Sequence, residues 1–218
     1  MVDRTASFFP ARINQRVPDL VYVADITNNA RQQRVDFGVV PTIANVATFT
    51  AATAAQTATT GFPVQISGAA AAKWGRCITI QGGTNINTIY GRDYLGQRIA
   101  ETFTTAGTAV RTSVKAFAWV DYVASGSNAN ATDVVTIGTT DKLGLPFSAI
   151  ILSASLMNGN TAGAHTFVAR DDTSPATGVT TDPRGTVALS TPSNGTRTFG
   201  AIVQLDTRNL HGVAAFAG

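Results

Sequence analysis

The chain has 218 residues, of which 13% are charged, a formal net charge of +3 and one cysteine. That length suits one large domain or two small ones and can bury a core without covalent staples. The composition excludes an intrachain disulfide, because Cys77 is alone, and a standard zinc site, because one thiol and two histidines, His165 and His211, are too few ligands; the small net charge is too weak to imply nucleic acid, and no apolar run reaches the roughly 18 residues of a membrane-spanning helix.

Glu101 is the only glutamate, and Lys73, Lys115 and Lys142 are the only lysines. A chain without Glu and Lys lacks the residues that cover exposed helices, while its Thr, Val and Ile favour strands and its Gly, Asn, Asp and Pro favour turns. Composition therefore predicts an all-β protein. It also predicts that much of the surface lies against other subunits, since Arg is enriched and Lys depleted at interfaces. A compositional drift toward Arg and Ala would leave the same counts.

In chain order, residues 1–19 read as an extended N-terminal arm, because Pro10 and Pro18 forbid a continuous helix. The opening MVDRTASFFPARINQR has an early acid and a proline-broken apolar patch, and does not read as a signal peptide. Phe8 and Phe9 have no periodic partner and suit apolar anchors. Arg4, Arg12, Arg16, Arg31 and Arg34 are interspersed with aspartates, a pattern that suits pairing with a protein surface. LVYVADI (20–26) is a strand candidate, and RQQRVDFGVV leads to Pro41. The uncharged, low-complexity run 44–60 is expected to be a loop or short helix. This gives an arm and connector over 1–60 and a β-sandwich or jelly-roll-like body over 61–218.

Within that body FPVQIS, RCITIQ, INTIY, RIAETFT, KAFAWVDYVA and DVVTIG are strand candidates separated by turn-rich stretches. KAFAWVDYVA is apolar on both faces and is expected to be one central strand, with Trp119 in the core. Glu101 is expected at the rim of an apolar face, paired with Arg98 or Arg92. In TTDKLGLPF, Gly144 suits a tight turn and Leu143, Leu145 and Phe147 suit a plug at the sandwich end, with a hinge near 139–148. AIILSASL, AHTFVAR and FGAIVQLD complete the strands, with a long loop over 171–197.

Chemistry-bearing patterns are few. His165 lies on a strand pattern, with no nucleophile elbow or cysteine-protease signature in the sequence. QGGTNIN has the glycines of a phosphate cradle and no lysine. Asp171 and Asp172 are too few for calcium, and Asp182 before Pro183 suits a turn. Trp74 suits either an exposed glycan platform or a packed hairpin tip. No catalytic residue, cofactor or metal is expected.

The stretch GRDYLGQRIAETFTTAGTAVRTSVKAFAWVDYV, followed by DVVTIGTTDKLGLPF, resembles the β-rich virion structural proteins of tailed bacteriophages. It carries, in order, their D-x-x-G-x-x-I-x-E-T hairpin, K-A-F-x-x-V strand and G-x-x-D-x-L-G-L-P turn. The resemblance covers about residues 76–147 and, more loosely, 182–216, where TRTFGAIVQLDTRNLHGVAAF is similar to the end of such proteins. Among them the chain is most like a capsid decoration, or cement, protein. That resemblance implies a non-enzymatic protein made in the bacterial cytoplasm. It would sit on the outer capsid surface as a homo-oligomer, a trimer by expectation, bridging major capsid protein subunits without nucleic acid or membrane. A tail or head–tail connector component, or a carbohydrate- or receptor-binding module, is the alternative.

Overall fold

The computed structural model describes residues 21–24, 31–67, 72–171 and 182–206. All regular elements among them are strands, and the named strands pair antiparallel throughout. The all-β, sandwich-like class expected from composition is what the chain adopts.

Three sheets make up the fold. The first runs β1 (Val21–Ala24), β2 (Arg31–Val39), β16 (Thr198–Leu205), β12 (Ala149–Met157) and β13 (Asn160–Thr161). The second runs β4 (Gln56–Ala58), β10 (Trp119–Ser125), β7 (Ile86–Arg92) and β8 (Arg98–Thr104), with β5 (Val64–Gln65) also on β10. The third runs β14 (Thr166–Val168), β15 (Thr186–Ala188), β11 (Val134–Gly144), β6 (Arg76–Gln81) and β9 (Arg111–Phe117), with β3 (Asn45–Thr50) also on β11.

The third sheet serves two cores. Alternate residues of β2 and β16, among them Val35, Phe37, Phe199, Ala201 and Val203, meet Leu143, Leu145, Phe147 and Val187 in one. Ile89, Ile99, Phe103, Val120 and Val123 meet Ile78, Ile80, Val135 and Ile137 in the other. Strand β11 thus contributes to both cores from a single chain segment. The period-two alternation of these strands is what makes one face apolar.

Four expectations change. First, residues 44–60 form β3 and β4, because backbone pairing with β11 and β10 overrides the weak preferences of Ala and Thr. The sheets therefore take in residues well before 60. Second, KAFAWVDYVA is two strands broken at Ala118. There the chain passes from the third sheet to the second, the Ala118 N–H donating to the Arg92 carbonyl at 2.8 Å and its carbonyl accepting from Ile66 and Ser67. Third, a bulge at Asp121 lets Val120 and Val123, three apart, both point inward while Trp119 turns to the outer face.

Fourth, the segment expected to hold a hinge continues β11 to Gly144. Leu143, Leu145 and Phe147 are buried, as the plug required. Gly144 is needed for close approach rather than for a turn: a Cβ there would lie 2.6 Å from the Trp74 carbonyl oxygen and 2.7 Å from the Ala116 Cβ. Gly91, beside the crossing at Ala118, is held to glycine in the same way, with a Cβ 2.1 Å from the Trp119 carbonyl oxygen.

Candidate interaction surface

Strands β10, β7 and β8 turn one side chain in two away from their core, and register fixes which of these stand beside one another. Across β7, Arg92 is level with Trp119 and Arg98, Tyr90 with Tyr122 and Ala100, and Thr88 with Ala124 and Thr102. Tyr90 and Tyr122 stack with ring centroids 4.7 Å apart and planes at 16°. The Arg92 guanidinium lies 5.6 Å from the centre of the Trp119 ring and grips Asp121 with contacts of 2.7 and 3.1 Å. Because Ala100 is small, a recess of about 350 Å³ opens beside Tyr90, bounded by Arg98, Asp121 and Tyr122. Arg98 is exposed and has no partner among the described residues. Ile86, at the far end of β7, is 57% exposed. The face thus combines Trp, Tyr and Arg, the residue types that anchor protein interfaces, and carries neither Lys nor Glu.

The rest of the surface is poorer in charge than the composition alone says. Arg76, Asp93, Glu101, Lys115, Asp182, Arg184 and Asp206 are buried. Arg76 donates to the Thr140 and Pro41 carbonyls at 2.6 and 2.9 Å and to Asp141 Oδ1 at 2.9 Å, tying the TTDKLGLPF stretch to β6. Arg184 donates to Asp93 Oδ2 at 2.7 Å and to the Leu145 carbonyl at 3.1 Å. Its guanidinium also lies 5.0 Å from the centre of the Tyr94 ring. Arg170 pairs with Asp206. These charges staple strands and loops from inside instead of solvating the exterior.

Tyr94 closes one of these staples: its hydroxyl donates to the Pro146 carbonyl, and burial pushes its own ionisation up to about 12. Tyr94→Phe keeps the ring on Trp74 and Arg184 but leaves that carbonyl without its donor. It is expected to cost about 1–2 kcal/mol in urea unfolding.

Glu101 is not at a rim and does not pair with Arg98 or Arg92. It is 4% exposed, and its carboxylate accepts from the Val114 N–H at 2.9 Å and the Lys115 N–H at 3.1 Å. Among the described residues β8 and β9 are edge strands of their two sheets, and this side chain crosses from one to the other. Asp182 accepts from the next amide, Ala116 N–H, at 3.0 Å. The two acids satisfy edge N–H groups that would otherwise invite another strand. Burial pushes the Glu101 carboxyl up to about 7, against the pull of these hydrogen bonds and of the Lys115 and Lys142 charges.

The other residues singled out by sequence fall as follows. Arg34 points away from the core on β2, whose neighbours Gln33 and Val35 are buried, and sits between Val21 and Ile202 in register. Arg31 begins β2, paired with Ala24. Arg4, Phe8, Phe9, Arg12 and Arg16 lie outside the described residues, as do His211 and Asp172. Trp74 is no exposed platform: its indole N–H donates to the Asp36 carbonyl at 3.2 Å, and its ring meets Tyr94 edge-on at 5.4 Å. His165 is buried, its Nδ1 accepting from the Ser190 N–H at 3.1 Å, and burial lowers its proton affinity. No three His, Cys, Asp or Glu side chains among the described residues converge on a metal position. The outer face itself was missed in sequence; its signal was the aromatic and Arg content of INTIYGR and WVDYV at alternate positions. No family model matches the chain, and comparison with curated proteins and with solved structures finds no match either.

Proposed function

We propose that the chain is a non-enzymatic structural protein of a tailed-phage particle. It would bind the outside of the capsid as a homo-oligomer and bridge major capsid protein subunits. The observation that carries this reading is the poverty of surface charge. A chain that is only 13% charged, and that places Arg76, Asp93, Glu101, Lys115, Asp182, Arg184 and Asp206 inside, has little left to solvate an isolated exterior. The apolar side chains it does expose include Val39, Ile43, Ile86, Leu95, Val110, Val134 and Ile151, suited to contacts with other subunits. The resemblance of residues 76–147 to phage virion proteins supplies the kind of assembly.

The mechanism on this reading is physical. Packed DNA pushes neighbouring capsid subunits apart. A protein seated across several of them adds interface that must be lost before they separate, and modest contacts combine through effective concentration. The internal arginine staples keep the body from yielding before its contacts do.

Quantitative mass spectrometry of purified particles tests the reading. The expected copy number scales with the number of capsid subunits, and adding the purified chain to capsids that lack it raises their temperature of DNA release. A copy number matched to the single tail vertex would replace this reading with the tail or connector one. Removal of residues 2–19 is expected to abolish capsid attachment while the body still folds.

A further inference from the structure

We propose that the outer face of β10, β7 and β8 is a self-association surface, packing against the same face of a second copy of this chain about a two-fold axis running close to the line of β7. The argument rests on register. A two-fold along β7 keeps each level of the face and exchanges its sides, so β8 of one copy lies over β10 of the other.

At the first level this brings Arg98, which has no partner among the described residues, over Trp119 and Asp121 of the second copy. Trp119 offers a half-buried ring, and Asp121, 27% exposed, has acceptor capacity beyond its Arg92 contacts. At the second level Ala100 meets Tyr122 of the second copy, large against small, and the recess beside Tyr90 receives that ring. At the third level Thr102 meets Ala124. Arg98 and Ala100 on one side of β7 are answered by Asp121, in the bulge, and Tyr122 on its other side, while Arg92 on the axis faces its own copy with its charge held by Asp121. An isologous contact needs this self-complementarity, and a site for an unrelated partner has no reason for it. Twisted sheets pack face to face within about 30° of alignment, which this axis permits.

The face is modest. Three strands about 4.8 Å apart and about 24 Å long give roughly 350 Å² in projection, against about 800 Å² per partner in a standard interface. Association is therefore weak and concentration-dependent on its own. It is also two-fold, so it forms dimers, or joins trimers in pairs, and does not itself build the trimer that the resemblance implies. The inference stands whether or not the chain binds capsids.

Sedimentation velocity of the full chain over a wide concentration range tests it. Wild type is expected to show a monomer–dimer equilibrium, or an even multiple of a smaller oligomer. Arg98→Glu should weaken that step about tenfold or more. The double substitution Ala100→Cys with Tyr122→Cys should give a covalent dimer on mild oxidation. Within one copy those positions straddle β7, about 9.6 Å apart and beyond disulfide reach, and Cys77 is buried. A wild type that never associates overturns the inference, and so does association untouched by Arg98→Glu. Capsid occupancy, read separately, keeps the two proposals apart. Arg98→Glu that binds capsids but no longer self-associates upholds the inference. If the wild type is monomeric and Arg98→Glu loses capsid binding, the face belongs to the capsid protein and the inference fails.

Discussion

Replacing Arg184 by Met is expected to destabilise the chain by about 3–5 kcal/mol. The side chain is 2% exposed and its partner Asp93 is 1% exposed, so solvent does not screen the pair. Methionine fills much of the volume but returns none of the donors. The Leu145 carbonyl loses its 3.1 Å contact, and Asp93 keeps only the Leu95 and Gln97 amides, at 2.9 and 2.8 Å, to hold a buried negative charge. The cost is the stranded carboxylate more than the lost attraction.

That distinction is measurable. Asp93→Asn in the Arg184→Met background removes the stranded charge while leaving an oxygen for the two amides. The double variant is expected to recover about 1–3 kcal/mol relative to Arg184→Met alone, read as the urea midpoint of each member of the cycle. Strict additivity of the two single losses would mean that the Arg184–Asp93 pair is not coupled and that Arg184 acts through Leu145, Asp182 and Tyr94 instead. Arg184 and Asp93 are 91 positions apart in the chain, and Arg184 also binds Leu145. The staple therefore fastens the β7–β8 hairpin turn to the exit of β11 and to the turn before β15.

Nothing in DPRG or GRDYLG announces that staple. Each reads as a turn with a surface charge, and only the fold shows that the two turns meet. The same holds for Lys115 and Glu101: alternation in RIAETFT placed Glu101 between Ile99 and Phe103 on the inward face, which is where it stands. The rarity of buried carboxylates favours a rim instead. What sequence could not supply was the acceptor's reward, two edge amides on a strand ten residues further on. The strands themselves were legible because Ile, Val and Phe alternate in RCITIQ, RIAETFT and FGAIVQLD. The corner at Ala118 was not, since Phe117, Ala118, Trp119 and Val120 form an unbroken apolar run whose bend is set by pairing with β6 on one side and β7 on the other. Threonine and alanine in 44–60 state no preference strong enough to read, and their strands exist because β11 and β10 offer them edges.

Glu101 should make stability fall as pH rises from about 4.5 to about 7. Its carboxyl titrates near 4.5 without the fold and is pushed up to about 7 within it, chiefly by burial. Between those values the folded chain binds more protons than the unfolded one, so each step up in pH favours unfolding; above about 7 the loss is complete and constant. At about 1.4 kcal/mol per unit, the window carries on the order of 3 kcal/mol, with no discount for screening at a side chain 4% exposed. Lys115 acts with the opposite sign. Burial lowers its amine below 10.5, so stability rises with pH between its folded value and 10.5. Glu101→Gln retains a carbonyl oxygen for the Val114 and Lys115 amides but cannot titrate. Chemical denaturation of both proteins between pH 4.5 and 7.5 should give a wild-type profile that falls relative to the variant by up to about 3 kcal/mol. A constant difference across that range would mean that the seam between β8 and β9 holds its carboxylate as comfortably as water does, and that the edge amides outweigh the burial of the charge.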